Sequence, residues 1–527
     1  MMPKKSGLRI GRRETFSTNL KVANILQQFI KSALGPRSME KILIDPWGDI
    51  TVTSDGKTIL DGIDVQHPAA KMMVEAAKAV DIEVGDGTIT TVLLACELLK
   101  RAEGLIEQMH PTEIIKGYSK AAERAVELLE GLSIPIDLQD PETLQKVALT
   151  SLHSKVSGSV KEHFARLAVD TVKRIAETRN GKAYADIERI LVIKRRGGSL
   201  LDTKVIDGIV EIQTIAHPNM PRSVVDAKIA LLNYALIVRH PEITAQIRME
   251  GPGQVKAFLN EEVAILKEMV RKVANSGANV LICQADVDDA ALDCLAGESI
   301  ATLKKVSKND MEKIAKATGG RVVAYLNDLS ESDIGYAKLV EERTFRYRGY
   351  VEEDRLVFIE GCRNPKSVTI LIRGGLDRAL DQAEIAIHDA LSVISDIFRK
   401  SKAVAGGGAI EVEIAKRLRE YSTEFHGREQ LAVKAYADST EIVPRTLIEN
   451  AGLDQLDFLT TLRAMHLESN GIWIGIDPIQ RKISSMKEIG VLEPTLVKEQ
   501  AIRTATEVAT AILRVDDIVA SKSIKRT

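Results

Sequence analysis

Aromatic side chains are scarce in this chain: Phe, Trp and Tyr make up 4% of 527 residues. So few flat rings leave little on which to stack single-stranded bases. A surplus of either charge is also missing, since 72 basic and 74 acidic residues give a formal net charge of −2. Nothing therefore drives broad binding to nucleic acid or to an anionic membrane. Long apolar runs are absent; the stretch 90–99 is interrupted by Glu97 and is too short to span a bilayer. The basic start MMPKKSGLRIGRRE has no apolar segment behind it, so no secretory signal is visible. Four cysteines (Cys96, Cys283, Cys294, Cys362) lack C-x-x-C spacing, and nine histidines form no H-x-x-x-H pair. These absences predict a soluble, cytoplasmic chain with no membrane insertion, no nucleic-acid partner and no protein-bound transition metal.

What is present is enough apolar material to build cores, at 45% hydrophobic residues, and a length that suggests about three domains. Apolar residues at helical spacing predict helices over 18–33, 71–82, 88–107 and 143–173. Between the first two, apolar triplets 42–44 and 50–52 flank Asp-Pro-Trp-Gly-Asp (45–49), a turn joining two short strands. The middle third is rich in β-branched residues, at 190–193, 205–215 and 228–237, alternating with helices, which predicts a separate α/β module. One amphipathic helix spans 258–273, preceded by ITAQIRMEGPG (243–253), which fits no regular element. Helix returns over 376–400 and 497–515, and the pairs Gly197–Gly198 and Gly374–Gly375 sit at the borders of the β-rich middle. Hinge-like glycines on both sides suggest a middle domain inserted into one built from the two chain ends.

Four loops carry candidate chemistry. Val-Gly-Asp-Gly-Thr-Ile-Thr-Thr (84–91) lies directly ahead of an apolar helix. Its glycines would let backbone N–H groups approach an anion at the helix start, with hydroxyls from Thr88, Thr90 and Thr91. Asp86 would repel a phosphate unless a cation such as Mg²⁺ sat between them. By itself the octapeptide reads equally well as an ordinary Asp-Gly turn with a Thr N-cap. Ala33-Leu-Gly-Pro-Arg37 reads by itself as helix termination, Thr53-Ser-Asp-Gly-Lys-Thr58 as another Asp-Gly turn, and Gly406-Gly-Gly408 as a close-approach loop opening a helix. No Walker loop, Rossmann fingerprint, kinase set or nucleophile elbow occurs.

Taken together, these segments resemble the group II chaperonins, the archaeal thermosome and its eukaryotic cytosolic relatives. The resemblance runs nearly end to end, through LGPRSMEKILID (34–45), TSDGKTIL (53–60), GDGTITTVLLACELL (85–99), LIRGG (371–375), IHDAL (387–391), AGGGAIEVEIA (405–415), IENAGLD (448–454) and GVLEPTLVKEQAI (490–502). It implies an α/β multidomain subunit. A mostly helical equatorial domain would span 1–141 and 402–527, and an intermediate domain 142–207 and 362–401. An apical domain would span 208–361, with a helical lid protrusion near 241–275. Motif by motif, the resemblance implies that Leu34, Gly35, Pro36, Gly85, Asp86, Gly87, Thr88 and Thr90 surround the phosphates of ATP, with Asp86 on Mg²⁺. Gly407 would pack on the nucleotide, Glu493 would lie near the ribose, and Lys155 would sense the γ-phosphate. Asp55 and Asp389 would position the attacking water. Implied partners are other chaperonin subunits, the same or sister chains, in a double ring, and unfolded polypeptide clients.

The chain departs from the family pattern at Ile89, Ser54, Lys57 and Leu376, and it ends SIKRT without a Gly/Met-rich tail. Losing one hydroxyl donor at position 89 costs about 0.5–1.5 kcal/mol, roughly three- to tenfold in binding. The resemblance thus implies a competent ATP-driven folding machine, slowed by the lost donor. The alternative is a weakly hydrolysing structural subunit that tunes assembly of a mixed ring. A small-molecule kinase or ligase is disfavoured, because no acceptor pocket is recognisable.

Overall fold

In the computed structural model the described residues are 9–519 apart from 11, 157, 180, 239–251, 346–353, 363–367 and 469. They form a mixed α/β, multidomain fold that groups into two compact units. One unit gathers Met1–Val172, Thr178–Ala185 and Asp381–Thr527, and the other Lys173–Glu177 and Asp186–Leu380.

The first unit is built around the helix Thr88–Ile106. Residues 91–99 are buried without a break, so the middle of this helix lies inside the others rather than on their surface, with Glu97 as its buried charge. Helices Arg12–Ile30, Pro68–Val84, Pro111–Leu132, Arg428–Thr440 and Thr495–Leu513 surround it and share its core. Tyr118 and Tyr436 meet edge to face across that core at 5.6 Å, and each hydroxyl is satisfied, by Leu98 O and by Thr506 Oγ1. Cys96 is a buried thiol of the same core, as its apolar surroundings in the sequence suggest.

Buried charge in this unit is paired. Glu441 is fully buried and receives the guanidinium groups of Arg419, Arg445 and Arg463. Glu97 is held by Arg101 and Gln27. Glu413, on the helix Ala409–Ser422, meets His466 Nδ1 at 3.1 Å and Arg417 Nε at 2.8 Å.

Short strands fix the loops. Lys41–Ile44 and Ile50–Thr53 form the expected hairpin, with Asp45 Oδ1 accepting the N–H groups of Trp47 and Asp49 in its turn. A three-stranded antiparallel sheet places Lys402–Ala405 between Leu492–Pro494 and Ile134–Pro135, with Val404 in register with Glu493. The segment 143–173, expected to be one helix, is two, Pro141–Leu152 and Gly158–Ile175, and Lys155 sits in the break.

The second unit holds a seven-stranded mixed sheet. Ser223–Leu232 runs parallel to Val280–Cys283 and antiparallel to Gly335–Phe345. A separate three-stranded sheet joins Ile190–Arg196, Val368–Gly374 and Lys204–Ile206. The helix over 258–273 belongs to Pro252–Asn275, and its Leu266, Val270 and Val273 are buried in the core of this unit. Its second half is therefore a core helix, while most of ITAQIRMEGPG lies outside the described residues. The glycine pairs do not divide the two units. Gly197 N–H donates to Gly374 O at 2.7 Å, so the pairs lie side by side within the second unit.

Burial works against the charge of Glu413, yet hydrogen bonds from His466 and Arg417 and the charge of Lys416 hold its carboxyl down to about 2. An unfolded glutamate titrates near 4.3, roughly. The folded value is the lower one, so this pairing stabilises the protein above that pH, and the stabilisation is lost as pH falls toward 2. Thermal unfolding of wild type and Glu413→Gln should show a gap in midpoint at pH 7 that closes between about pH 4.3 and the acid limit. A gap independent of pH would contradict this.

Candidate functional site

The four loops singled out in the sequence meet within the first unit, around an open cleft of about 1320 Å³ counted with its solvent-facing space. Leu34, Gly35, Pro36, Asp55, Asp86, Gly87, Thr88, Thr90, Lys155, Gly407 and Glu493 all line it. Gly85 and Asp389 do not stand on its wall.

The Gly-Asp-Gly turn is a junction between two helices. Gly85 ends Pro68–Val84 in the left-handed region at φ 65°, and Gly87 opens Thr88–Ile106 at φ 85°. Any side chain at Gly85 would collide with Ser392, whose Cβ lies 2.2 Å from where a Cβ would stand. Gly85 therefore lets the helix Asp377–Arg399 pass close beside the turn. Asp86 Oδ1 accepts the Gly87 N–H at 2.7 Å, which fixes the carboxylate at the helix start. The N-cap is Gly87, not a threonine, so the reading as an Asp-Gly turn with a Thr N-cap does not hold. Thr91 is also corrected: it is buried and its hydroxyl donates to Gly87 O, away from the cleft.

Three of the helices that begin at the cleft, at Thr88, Ala409 and Thr495, have no side-chain cap, while Gly56–Asp61, which also begins there, is capped by Asp55. Elsewhere in the same unit His67, His110 and Asp140 cap their helices, whereas Arg428–Thr440 and Ile442–Asn450 have no side-chain cap. A helix start leaves backbone N–H groups without intrahelical partners and carries a partial positive charge. Uncapped starts converging on one cavity are suited to an anion.

Carboxylates stand among these donors. Asp55 caps its own helix, with Oδ2 accepting both the N–H and the hydroxyl of Thr58 at 2.8 Å. Asp389, on the helix that passes Gly85, is buried and ion-paired with Lys155, whose side chain reaches it from the cleft wall. One residue thus ties Asp389 to the cleft. On the same helix, burial pushes Asp396 up to about 8, with Arg399 offsetting part and Glu83 and Asp86 adding to the rise. Burial also pushes Glu493 up; Lys498 opposes this, while Glu411 and Asp86 reinforce it. Among the described residues no cluster of three or more His, Cys, Asp or Glu could hold a metal without further ligands.

Sequence reasoning missed Lys498 and Glu411. Lys498 lines the cleft with a side chain only 7% exposed, and bonds Glu411 at 2.7 Å and Glu493 at 2.6 Å. The signal was a lysine at helical spacing with the buried Ala501, Ile502 and Ala505, a charge on an apolar stripe. Val443, Leu447, Ile476 and Ile479 add apolar side chains to the lining. The departures are absorbed locally. Ile89 lines the cleft, Lys57 pairs with Asp81 at 2.6 Å, Ser54 donates to Ser154 O, and Leu376 is exposed.

No helix among the described residues is long and apolar enough to cross a membrane. Residues 26–523 match the model of the TCP-1/cpn60 chaperonin family. The chain is 46% identical over 519 residues to thermosome subunit beta of Sulfolobus acidocaldarius, covering 98% of this chain and 93% of that one. It is also 46% identical over 515 residues to thermosome subunit alpha of Archaeoglobus fulgidus (98% and 93% covered) and to a thermosome subunit of Pyrococcus abyssi (98% and 92% covered). Matches of that extent, with the family's loops gathered around one cleft, establish that this chain belongs to the TCP-1/cpn60 chaperonin family, on its thermosome-like branch.

Proposed function

We propose that the cleft binds ATP and hydrolyses it to ADP and phosphate, and that this chain is a cytoplasmic chaperonin subunit that encloses and folds non-native polypeptides. One observation carries the reading: uncapped helix starts at Gly87 and Gly408 face the same cleft as Asp86 and Lys155. The helix starts supply N–H donors to phosphate oxygens, and Lys155 supplies a positive charge. A magnesium ion, held by Asp86, would neutralise the phosphates. The apolar wall of Val443, Leu447, Ile476 and Ile479 suits a purine, leaving Glu493 for the sugar.

Hydrolysis needs a water aligned behind the terminal phosphorus more than it needs covalent catalysis. Asp55 and Asp389 are the carboxylates suited to accept a proton from that water. Lys155 holds Asp389 in the structure, so a terminal phosphate competing for the same ammonium would free the carboxylate for water. In this reading residues 1–141 and 402–527 form the equatorial domain, 142–207 and 362–401 the intermediate domain, and 208–361 the apical domain. The lid would come from the part of 241–275 outside the core contacts of Leu266, Val270 and Val273. Ile89 keeps its neighbours' backbone donors in place, so it slows turnover at most. Nothing in the comparisons favours the weakly hydrolysing alternative.

Assembly is supported by the hairpin Lys41–Ile44 and Ile50–Thr53, which exposes Ile42, Ile44, Trp47 and Ile50. A ribbon with bare edges and an apolar side is poorly suited to water and well suited to a neighbouring subunit.

Asp389→Ala should lower ATP turnover by about a hundredfold or more while leaving ATP affinity within a few-fold; unchanged turnover would count against the role assigned to it. Ile44→Lys combined with Trp47→Lys should shift the solution mass, measured by light scattering, from a multi-subunit assembly toward single chains. An assembly of undiminished mass would remove the hairpin from the contact.

A further inference from the structure

The buried ammonium of Lys498 stands between two carboxylates; it falls within the segment 490–502, but none of the roles assigned above uses it. Its Nζ lies 2.7 Å from Glu411 Oε1 and 2.6 Å from Glu493 Oε2. A buried lysine persists only where partners compensate for lost hydration. Burial works against the ammonium here, but Glu411 and Glu493 hold it charged well above its ordinary range.

The two carboxylates are not equivalent. Glu411 lies behind the cleft wall, and its second oxygen is buried without a hydrogen-bond partner, so its hydrogen bond to Lys498 anchors the ammonium from the rear. Glu493 stands on the wall itself. Its backbone is fixed by strand pairing opposite Val404, and its Oε1 lies 2.8 Å from where a Cβ on Gly406 would stand. The Glu493 side chain thus lines the cleft with Oε2 taken by the ammonium and Oε1 packed beside the bare Gly406, and a quarter of it stays exposed.

We propose that Lys498 is a positioning residue for sugar recognition: by gripping Oε2 of Glu493 it aims the other carboxylate oxygen at a ribose hydroxyl. The cleft then favours ribonucleotides over deoxyribonucleotides through a residue that acts on the carboxylate rather than on the sugar. The inference rests on the ATP-site reading above and names the specificity device within it. A hydroxyl bonded to a charged acceptor is worth about tenfold or more in affinity. Without Lys498, Glu493 would swing toward water or take up a proton, and in either case the aimed acceptor is lost.

The test is calorimetric titration of the full-length protein with ATP, 2′-deoxy-ATP and 3′-deoxy-ATP in the presence of magnesium. Wild type should prefer ATP over at least one deoxy form by about tenfold. Lys498→Gln and Glu493→Gln should each bring that ratio close to one, and their double variant should lower it no further. Lys498→Arg, which keeps the charge and the donors, should retain most of the preference. Should Lys498→Gln fail to fold, Lys498→Met with Glu411→Met removes both buried charges together, a replacement proteins often tolerate, and it should show the same loss of preference. A purely structural lysine would weaken all three nucleotides equally, and that result overturns the proposal, as does a full ribose preference in Lys498→Gln. Wild type that binds ATP without any sugar preference also overturns it, leaving the ATP site intact. Wild type that binds no nucleotide overturns both.

Discussion

The cleft depends on one junction, the Gly-Asp-Gly turn at 85–87, where one helix stops and a deeply buried helix of the unit begins. Because Thr88–Ile106 is enclosed over most of its length, its start cannot shift without disturbing the core. Its first N–H groups are therefore held rigidly toward the cavity, and Asp86 is held beside them by the Gly87 N–H. Preorganised donors of this kind need no rearrangement when charge arrives, which is where electrostatic stabilisation is most effective. The bare Cα of Gly85 adds the second half of the arrangement, since it admits the helix that carries Asp389.

Charge is handled in two different ways within the same unit. Away from the cleft, Glu441, Glu97 and Glu413 are each surrounded by cations, so their burial cost is offset and their surroundings are rigid. At the cleft the balance is incomplete. Lys498 serves two carboxylates, and Glu411 beside it keeps one oxygen without a partner. Lys155 belongs to this second group, because its partner Asp389 and the cleft both compete for one ammonium.

The local chemistry of the fold was readable in the sequence wherever a few neighbouring residues decide it. The 45–49 turn, the Gly-Asp-Gly junction, the triglycine helix start and the enclosed helix behind Thr88 all follow from turn residues and periodicity. What failed depended on direction or on distant partners. Thr91 was counted among the hydroxyl donors, but its position one turn into a buried helix sends the hydroxyl back to Gly87 O. The glycine pairs suggested hinges, yet strand pairing across 190–196 and 368–374 brings them side by side. Helical spacing on both sides of the gap between Leu152 and Gly158 hid the division into two helices. Asp389 has no local signal at all and was reachable only through the family, while Lys498 left a weak one, a cation in an apolar stripe.

The most direct test of the account is a structure of the assembled protein with magnesium and a non-hydrolysable ATP analogue. The account predicts phosphate oxygens against the N–H groups that follow Gly87, the Asp86 carboxylate on the metal, and Lys155 turned from Asp389 to the terminal phosphate. Asp55 and Asp389 should then share one water. Phosphates bound elsewhere, or an undisturbed Lys155–Asp389 pair with the analogue fully bound, would contradict it.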